Sequence, residues 1–258
     1  MPKFSANLSM LFKEVDFLDR FGRAAQFGFK GVEFLFPYEW DKEELQGGLE
    51  RHGLEMVLHN LPAGQWSAGE RGLACLPDRV NEFQEGVGIA IEYAAALRCP
   101  RLNCLAGIPP VTQSAEQSME TLTSNVRYAA EEARKAGITL VVEALNSQDV
   151  PGFCLSTTRH MLDLLKAVDH PNLYMQYDIY HMQIMEGNLT RTMAQNVTRI
   201  GHMQLADVPG RHEPGTGEIN FDNLFRSIDE MGYEGWIGCE YNPTGTTEES
   251  LSWVTKYL

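Results

Sequence analysis

Four oxygen-bearing side chains each close a short apolar run in the second half of the sequence. They are Glu143, Asp178, Gln204 and Glu240. Carboxylates crowded together in a poorly solvated mouth are costly unless a cation neutralises them, so their convergence would predict a metal site. An all-oxygen ligand set favours one hard divalent ion, Mg²⁺ or Mn²⁺, over zinc or copper. The alternative for any one of them is that it caps a helix or meets solvent.

Donor and cationic groups accompany these residues. His181 follows Asp178 by one helical turn, where it could face a ligand, orient a metal-bound group, or make a local hydrogen bond. His59 closes an earlier apolar run and is a second hydrogen-bond donor. Arg211 lies in a glycine-rich loop after the run that ends at Gln204, and it could bring a positive charge to the carboxylates. The alternative for that loop is a tight turn that feeds a capped helix.

A long irregular stretch, residues 60–77, carries another candidate. It exceeds the usual loop length, and such loops are often lids. Arg71 lies within it, between Gly69 and Gly72, so a closing loop could bring its guanidinium to a substrate carboxylate. We prefer Arg71 slightly to Arg211 for this role. The alternative is an isolated surface arginine.

The elements that must position these residues follow a repeated pattern. An amphipathic helix ends at a glycine, and a short apolar strand that closes on a polar residue follows, as at Gly28, Gly53, Gly137 and Gly232. The helix starts are expected at Asp41, Ser114, Ser156 and Thr247. Eight strands are predicted, at residues 3–8, 31–36, 54–59, 101–105, 138–143, 172–178, 199–205 and 236–240.

Eight βα units in 258 residues give about 32 residues per unit, the size of a compact (β/α)8 TIM barrel. The sequence shows no linker or composition break, so we expect one α/β barrel domain over residues 1–258. A doubly wound sheet is the alternative, because a strand count does not prove closure. In a barrel the strand ends meet at one rim, which would bring the four oxygen-bearing side chains together.

The amino-acid composition argues against some classes of function. The 35 acidic and 21 basic residues give a net charge of −14, which disfavours nucleic acid and anionic membrane surfaces as partners.

The N-terminus has no signal-peptide pattern, so a cytoplasmic location is expected. The five cysteines show no paired spacing and are expected to be reduced, mostly buried thiols. No P-loop, serine-hydrolase or zincin motif is present, and a homo-oligomer is compatible with the sequence.

The strand-end residues stand among further motifs that resemble the hydroxypyruvate isomerase family, in particular its 2-oxo-tetronate isomerase branch, along the whole chain. This family belongs to the xylose isomerase-like barrels, which also include ketose 3-epimerases and endonuclease IV-type nucleases. The motifs are Phe4-Ser-Ala-Asn-Leu-Ser9, Leu58-His-Asn-Leu-Pro-Ala-Gly64, Gly69-Glu-Arg-Gly72, Gln176-Tyr-Asp-Ile-Tyr-His-Met182 and Glu213-Pro-Gly-Thr-Gly-Glu-Ile-Asn220.

The resemblance implies a divalent metal held by Glu143, Asp178, Gln204 and Glu240, with Glu143 and Glu240 as the acid/base pair. Gln204 stands where the related ketose epimerases have a histidine. The expected reaction moves a carbonyl along a small hydroxy-keto acid through an enediolate by proton transfer. Hydride transfer is the mechanistic rival. The competing functions are a ketose 3-epimerase-like sugar enzyme, a phosphodiesterase for damaged DNA, and a non-catalytic sugar-acid binding protein.

Overall fold

The computed structural model describes all residues, 1–258, and its centre is a closed barrel of eight parallel strands in sequence order. β1 pairs with β8 as well as with β2, so the sheet has no edge. This closure confirms the (β/α)8 prediction and excludes the doubly wound alternative. The strands are β1 Lys3–Asn7, β2 Gly31–Glu33, β3 Glu55–Asn60, β4 Arg101–Cys104, β5 Thr139–Glu143, β6 Leu173–Asp178, β7 Ile200–Leu205 and β8 Trp236–Cys239.

Helices follow the strands around the outside of the barrel. They are α1 Arg20–Phe27, α2 Lys42–His52, α3 Val80–Ala96, α4 Ala115–Lys135, α5 Thr158–Val168, α6 Ile179–Met185, α7 Leu189–Asn196, α8 Phe221–Glu230 and α9 Thr247–Ser250. Four single 3-10 turns lie at Phe17–Asp19, Trp66–Ala68, Pro77–Arg79 and Val197–Arg199. No helix has the length and apolar character needed to span a membrane.

The helix boundaries follow the capping signals in the sequence. Asp41 accepts a hydrogen bond from the backbone of Glu43, and Ser114 forms a full capping box with Gln117, as expected. The caps of α5 and α9 are each one residue away from the predicted position, at Thr157 and Thr246. In both cases a neighbouring hydroxyl of the same kind makes the bond, so sequence alone could not choose between them.

The barrel interior changes from apolar at the strand starts to polar at the strand ends. Val57, Leu58 and Val141 form a small buried cluster against Tyr174 and Trp236, which closes the N-terminal end. Most other apolar residues form a single core cluster. All five cysteines are free, and four are buried, as predicted. Because the lower barrel is filled, polar side chains at the opposite end are the ones that can meet a ligand.

Candidate active site

Three carboxylates meet at the C-terminal end of the barrel. Glu143 and Asp178 are the last residues of β5 and β6, and Glu240 follows β8 directly. All three are at most 4% exposed. Glu143 Oε2 accepts a hydrogen bond of 2.9 Å from Asn103 Nδ2, and Asp178 Oδ1 accepts one of 2.8 Å from the backbone of Tyr180 at the start of α6. Their position at strand ends on one rim is what the barrel prediction required.

Arg211 is the cation nearest to these carboxylates. Its Nη2 lies 2.6 Å from Glu240 Oε2 and 3.3 Å from Asp178 Oδ2, and its guanidinium is 5.1 Å from the ring centroid of Tyr180. The side chain is 20% exposed. The sequence indicated that this arginine could reach the carboxylates, and the structure places it between two of them.

The loop that carries Arg211 is held by one carboxylate. Asp207, two residues after the end of β7, accepts hydrogen bonds from backbone N–H groups spread along the loop at distances of 2.9–3.1 Å. The donors are Val208, Gly215, Gly217 and Ile219. These bonds fix both ends of the loop, so its middle, including Arg211, stays over the barrel mouth.

The pKa values of the three carboxyls are all raised, first by burial and then by repulsion from other carboxylates. Burial, followed by repulsion from Glu240 and Asp178, raises the pKa of Glu143 well above its usual value. Burial outweighs the attraction of Arg211 and raises the pKa of Glu240 to about 8 and that of Asp178 above its usual value. One arginine therefore does not neutralise the cluster, and the donor set suits a further cation.

His181 completes the cluster from the first turn of α6. Its Nε2 lies 3.5 Å from Asp178 Oδ2, and burial, followed by the charge of Arg211, lowers its pKa well below the usual histidine value. Glu143, Asp178 and His181 each offer a ligand atom, and these atoms lie within 4.8 Å of one another. Two of the four predicted ligands are thus brought together with a histidine at metal-binding spacing.

Gln204 pairs with Asp178 across β6 and β7, and its amide is bound on both sides. Its Nε2 donates to Glu33 Oε1 at 2.7 Å, and its Oε1 accepts from Gln176 Nε2 at 2.6 Å. A carbonyl oxygen has two lone pairs, so Oε1 can still accept one further contact. Because the Glu33 carboxylate accepts this hydrogen bond, the Gln204 atom that faces it is the NH₂ nitrogen, and the amide oxygen faces Gln176.

Glu33 was not among the predicted site residues. It is fully buried at the end of β2 and accepts hydrogen bonds from Ser5, Asn7 and Gln204, with His202 Nε2 2.8 Å away. Burial raises its pKa, but attraction to His202 and these hydrogen bonds outweigh burial and lower the pKa overall. The strand-end rule that selected Glu143 also applies to Glu33, so the signal was present in the sequence.

A cavity of about 790 Å³ opens above the cluster. Its lining includes Glu143, His181, Arg211 and Glu240. His59 does not line it: the ring is fully buried, with Nδ1 3.2 Å from the backbone oxygen of Asn60 and 3.4 Å from the hydroxyl of Tyr38. The neighbouring Asn60, which was not among the predicted site residues, lines the cavity instead.

Arg71 reaches the same cavity from the opposite loop. Its guanidinium stacks over Trp66 at 4.1 Å from the ring centroid, and its Nη1 donates to the backbone oxygens of Trp66 and Glu70. Both Trp66 and Arg71 line the cavity. The long 60–77 stretch is therefore an ordered wall of the mouth, and Arg71 is not an isolated surface arginine.

Comparison with known proteins identifies the family to which this barrel belongs. Residues 21–257 match the family model for the xylose isomerase-like TIM barrel. The chain is 56% identical over 257 residues to the hydroxypyruvate isomerase of Escherichia coli (strain K12) and 45% identical over 258 residues to the 2-oxo-tetronate isomerase of Pectobacterium atrosepticum. These alignments cover 100% of this chain in both cases and 100% and 98% of the respective relatives.

A solved structure described as an AP endonuclease, family 2, from Brucella melitensis superposes with a TM-score of 0.97 at 46% identity, covering 100% of this chain and 99% of that one. The chain belongs to the xylose isomerase-like TIM barrel family and, within it, to the hydroxypyruvate isomerases. It is therefore an isomerase.

The crowded carboxylates predict a pH-dependent stability. A carboxyl whose pKa is higher in the folded than in the unfolded chain binds more protons when folded, so stability falls as the pH rises towards the folded pKa, which is about 8 for Glu240. After exhaustive chelation, Tm should therefore decrease from about pH 5 to about pH 8. Added Mg²⁺ should raise Tm more at the higher pH, because the cation binds the deprotonated carboxylates.

Calorimetry of the chelated protein across this pH range checks the expectation. The matched control is the double variant Glu143→Gln/Glu240→Gln, which should lose most of the decrease and most of the Mg²⁺ effect. Equal slopes in the wild type and the double variant would show that these carboxyls do not set the pH dependence.

Proposed function

We propose that this protein is a divalent-metal-dependent isomerase of small hydroxy-keto acids. It interconverts hydroxypyruvate and tartronate semialdehyde, or 2-oxo-tetronate and 3-oxo-tetronate, by proton transfer between neighbouring carbons. The observation that carries the proposal is the pair of buried carboxyls, Glu143 and Glu240, which open into one cavity beside Arg211 and His181. The names of its relatives, hydroxypyruvate isomerase and 2-oxo-tetronate isomerase, support this substrate class.

The acid and base roles follow from the raised pKa values. Moving a carbonyl requires removal of a proton from the hydroxyl-bearing carbon beside it, delivery of a proton to the former carbonyl carbon, and passage of the hydroxyl proton to the former carbonyl oxygen. A carboxyl with a pKa near the working pH exchanges a proton most effectively, and the pKa of Glu240 is about 8. Glu143, raised by the same burial and repulsion, is the second member of the pair. One takes the proton and the other returns it.

The residues suited to hold the divalent cation are Glu143, Asp178, Gln204 and Glu240, and the ion is Mg²⁺ or Mn²⁺. Their oxygen donors and the uncompensated negative charge support this choice. When bound, the ion supplies a Lewis acid that polarises the substrate oxygens. Gln204 retains a free lone pair on Oε1 for this purpose while Glu33 holds its amide in place.

Recognition of the substrate carboxylate requires a positive group at the far side of the cavity. Three carboxylates around one divalent ion carry a net negative charge and repel an anionic substrate. Arg71 suits the role, because its hydrogen bonds within the chain use only Nη1, which leaves Nη2 and Nε for a carboxylate. Arg211 is the second candidate, although its Nη2 already contacts Glu240 and Asp178.

Two of the competing functions are less well supported. A phosphodiesterase must attract phosphate, whereas this chain has a net charge of −14 and a cluster of carboxylates at its mouth. A non-catalytic binding protein has no need for two proton-exchanging carboxyls beside the ligand. An epimerase-like sugar enzyme would use the same carboxyls, so only a comparison of keto acids with neutral ketoses as substrates separates it from the keto-acid isomerase.

The reaction can be followed directly by proton NMR. We expect the purified protein to convert hydroxypyruvate or a 2-oxo-tetronate, to lose turnover on chelation, and to regain it with Mg²⁺ or Mn²⁺. In D₂O the product carbon should acquire deuterium, since the carboxyl exchanges its proton with solvent. Full activity in demonstrably metal-free protein contradicts the metal requirement, and strict retention of the substrate hydrogen favours hydride transfer. Turnover of neutral ketoses alone would point to the epimerase-like enzyme.

The carboxyl pair is tested by Glu143→Gln and Glu240→Gln. Each should lower kcat by roughly 10²–10⁴-fold, because an amide cannot exchange a proton with carbon. The double variant should lose little more than the worse single variant, since both residues serve one transfer. Steady-state kinetics provides the measurement, and unchanged folding in circular dichroism is the control. Losses that simply multiply would argue against a shared step.

The carboxylate anchor is tested by Arg71→Ala and Arg211→Ala. For Arg71→Ala we expect KM for the keto acid to rise tens-fold, on the order of 2–3 kcal/mol for a lost charge-assisted pair, with metal affinity nearly unchanged. Titration calorimetry with Mn²⁺ measures that affinity. If KM stays constant in both variants, neither arginine recognises the carboxylate.

A further inference from the structure

Asn146 joins the loop after β5 to the histidine of the site. Its side-chain Nδ2 lies 2.7 Å from His181 Nδ1, and its backbone N–H points at the same ring nitrogen at 3.2 Å. Both residues are at most 2% exposed. Asn146 does not line the cavity, so it acts on a substrate only through its neighbour.

The orientation of the Asn146 amide is fixed by its other partners. Its Oδ1 accepts hydrogen bonds from the backbone N–H groups of Gln148 and Asp149, at 3.0 and 2.8 Å. A backbone N–H can only donate, so this atom must be the oxygen. The opposite atom is therefore the NH₂ group, and it also donates to Asp149 Oδ2 at 2.9 Å.

His181 Nδ1 consequently faces two donors and no acceptor. We infer that Asn146 is a positioning residue that holds His181 in the tautomer with a bare Nδ1 and a protonated Nε2. Nε2 is the ring atom 3.5 Å from Asp178 Oδ2, at the carboxylate cluster, and the ring lines the cavity. A nitrogen that carries a proton cannot ligate a metal, so His181 is a hydrogen-bond donor.

The proposed function gives the protonated Nε2 of His181 a chemical role, and in this respect the assignment rests on that function. Proton removal beside a carbonyl places negative charge on the substrate oxygens, and a neutral Nε2–H donor stabilises that charge. The assignment also gives His181 a different role from Glu143 and Asp178, although the ligand atoms of all three lie close enough to share a metal ion. The ion is then left to oxygen donors.

The tautomer can be observed without turnover. In protein labelled with ¹⁵N-histidine, long-range ¹H–¹⁵N spectra distinguish a protonated from a bare ring nitrogen, and His181→Asn assigns the signals. We expect a bare Nδ1 and a protonated Nε2, unchanged by saturating Mg²⁺. A protonated Nδ1, or loss of the Nε2 proton on Mg²⁺ addition, overturns the inference. Failure of the proposed reaction would leave this readout unaffected.

Asn146→Asp tests the positioning role. Combined with Asp149→Asn, which keeps two carboxylates from facing each other at 2.9 Å, it replaces the NH₂ donor to His181 with a carboxylate acceptor of the same shape. Nδ1 should then gain a proton, and kcat should fall about tenfold or more relative to Asp149→Asn alone, with a smaller change in KM. Asn146→Ala keeps the backbone donor and should keep the bare Nδ1. Ser147→Asp is the matched charge control: it adds the same charge one residue along, on an exposed side chain, and should keep the original tautomer.

Two results would overturn the role of Asn146. The first is a bare Nδ1 that persists in Asn146→Asp/Asp149→Asn. The second is an equal fall in kcat in Ser147→Asp, which would show that added charge alone is responsible. Thermal unfolding of each variant establishes that the spectra and rates come from folded protein.

Discussion

The organisation of the barrel mouth follows from the burial of several carboxylates within one small volume. Glu143, Asp178 and Glu240 are almost fully buried, and the loss of hydration on burial is the main cause of the raised pKa of each one. Such a cluster is stable only when surrounding groups supply donors or positive charge. Arg211 and the donors Asn103 and Tyr180 provide part of this compensation. The remaining charge is what suits the site to a cation and to proton exchange.

A second layer of buried polar residues beneath the mouth has the same need for hydrogen-bond donors or positive charge. Glu33 is surrounded by donors and has a lowered pKa, in contrast to the carboxyls above it. Gly238 of β8 makes room for it, because a side chain at that position would clash with the Glu33 carboxylate. Buried carboxyls in one barrel thus differ in protonation behaviour according to whether their neighbours donate hydrogen bonds or carry like charge.

Sequence patterns predicted the eight strands, because each is a short, largely apolar run that closes on a polar residue, and four of them follow a helix-ending glycine. They also predicted that Glu143, Asp178, Gln204 and Glu240 would approach each other, since a barrel brings all strand ends to one rim. The pattern could not show which face of a strand end points inward. His59 and Asn60 are adjacent at the end of β3, and of the two it is Asn60 that reaches the cavity, while His59 is buried beside Tyr38.

The loop after β7 has a consequence for the redesign of this enzyme. The Asp207 carboxylate accepts hydrogen bonds from the backbone at both ends of its own loop. These bonds hold the two ends of residues 209–214 together without using the side chains of that segment. A segment held in this way can change in sequence without losing its points of attachment. The barrel could therefore accept new specificities by exchange of residues in this segment other than Arg211, whose contacts with Glu240 and Asp178 would be kept.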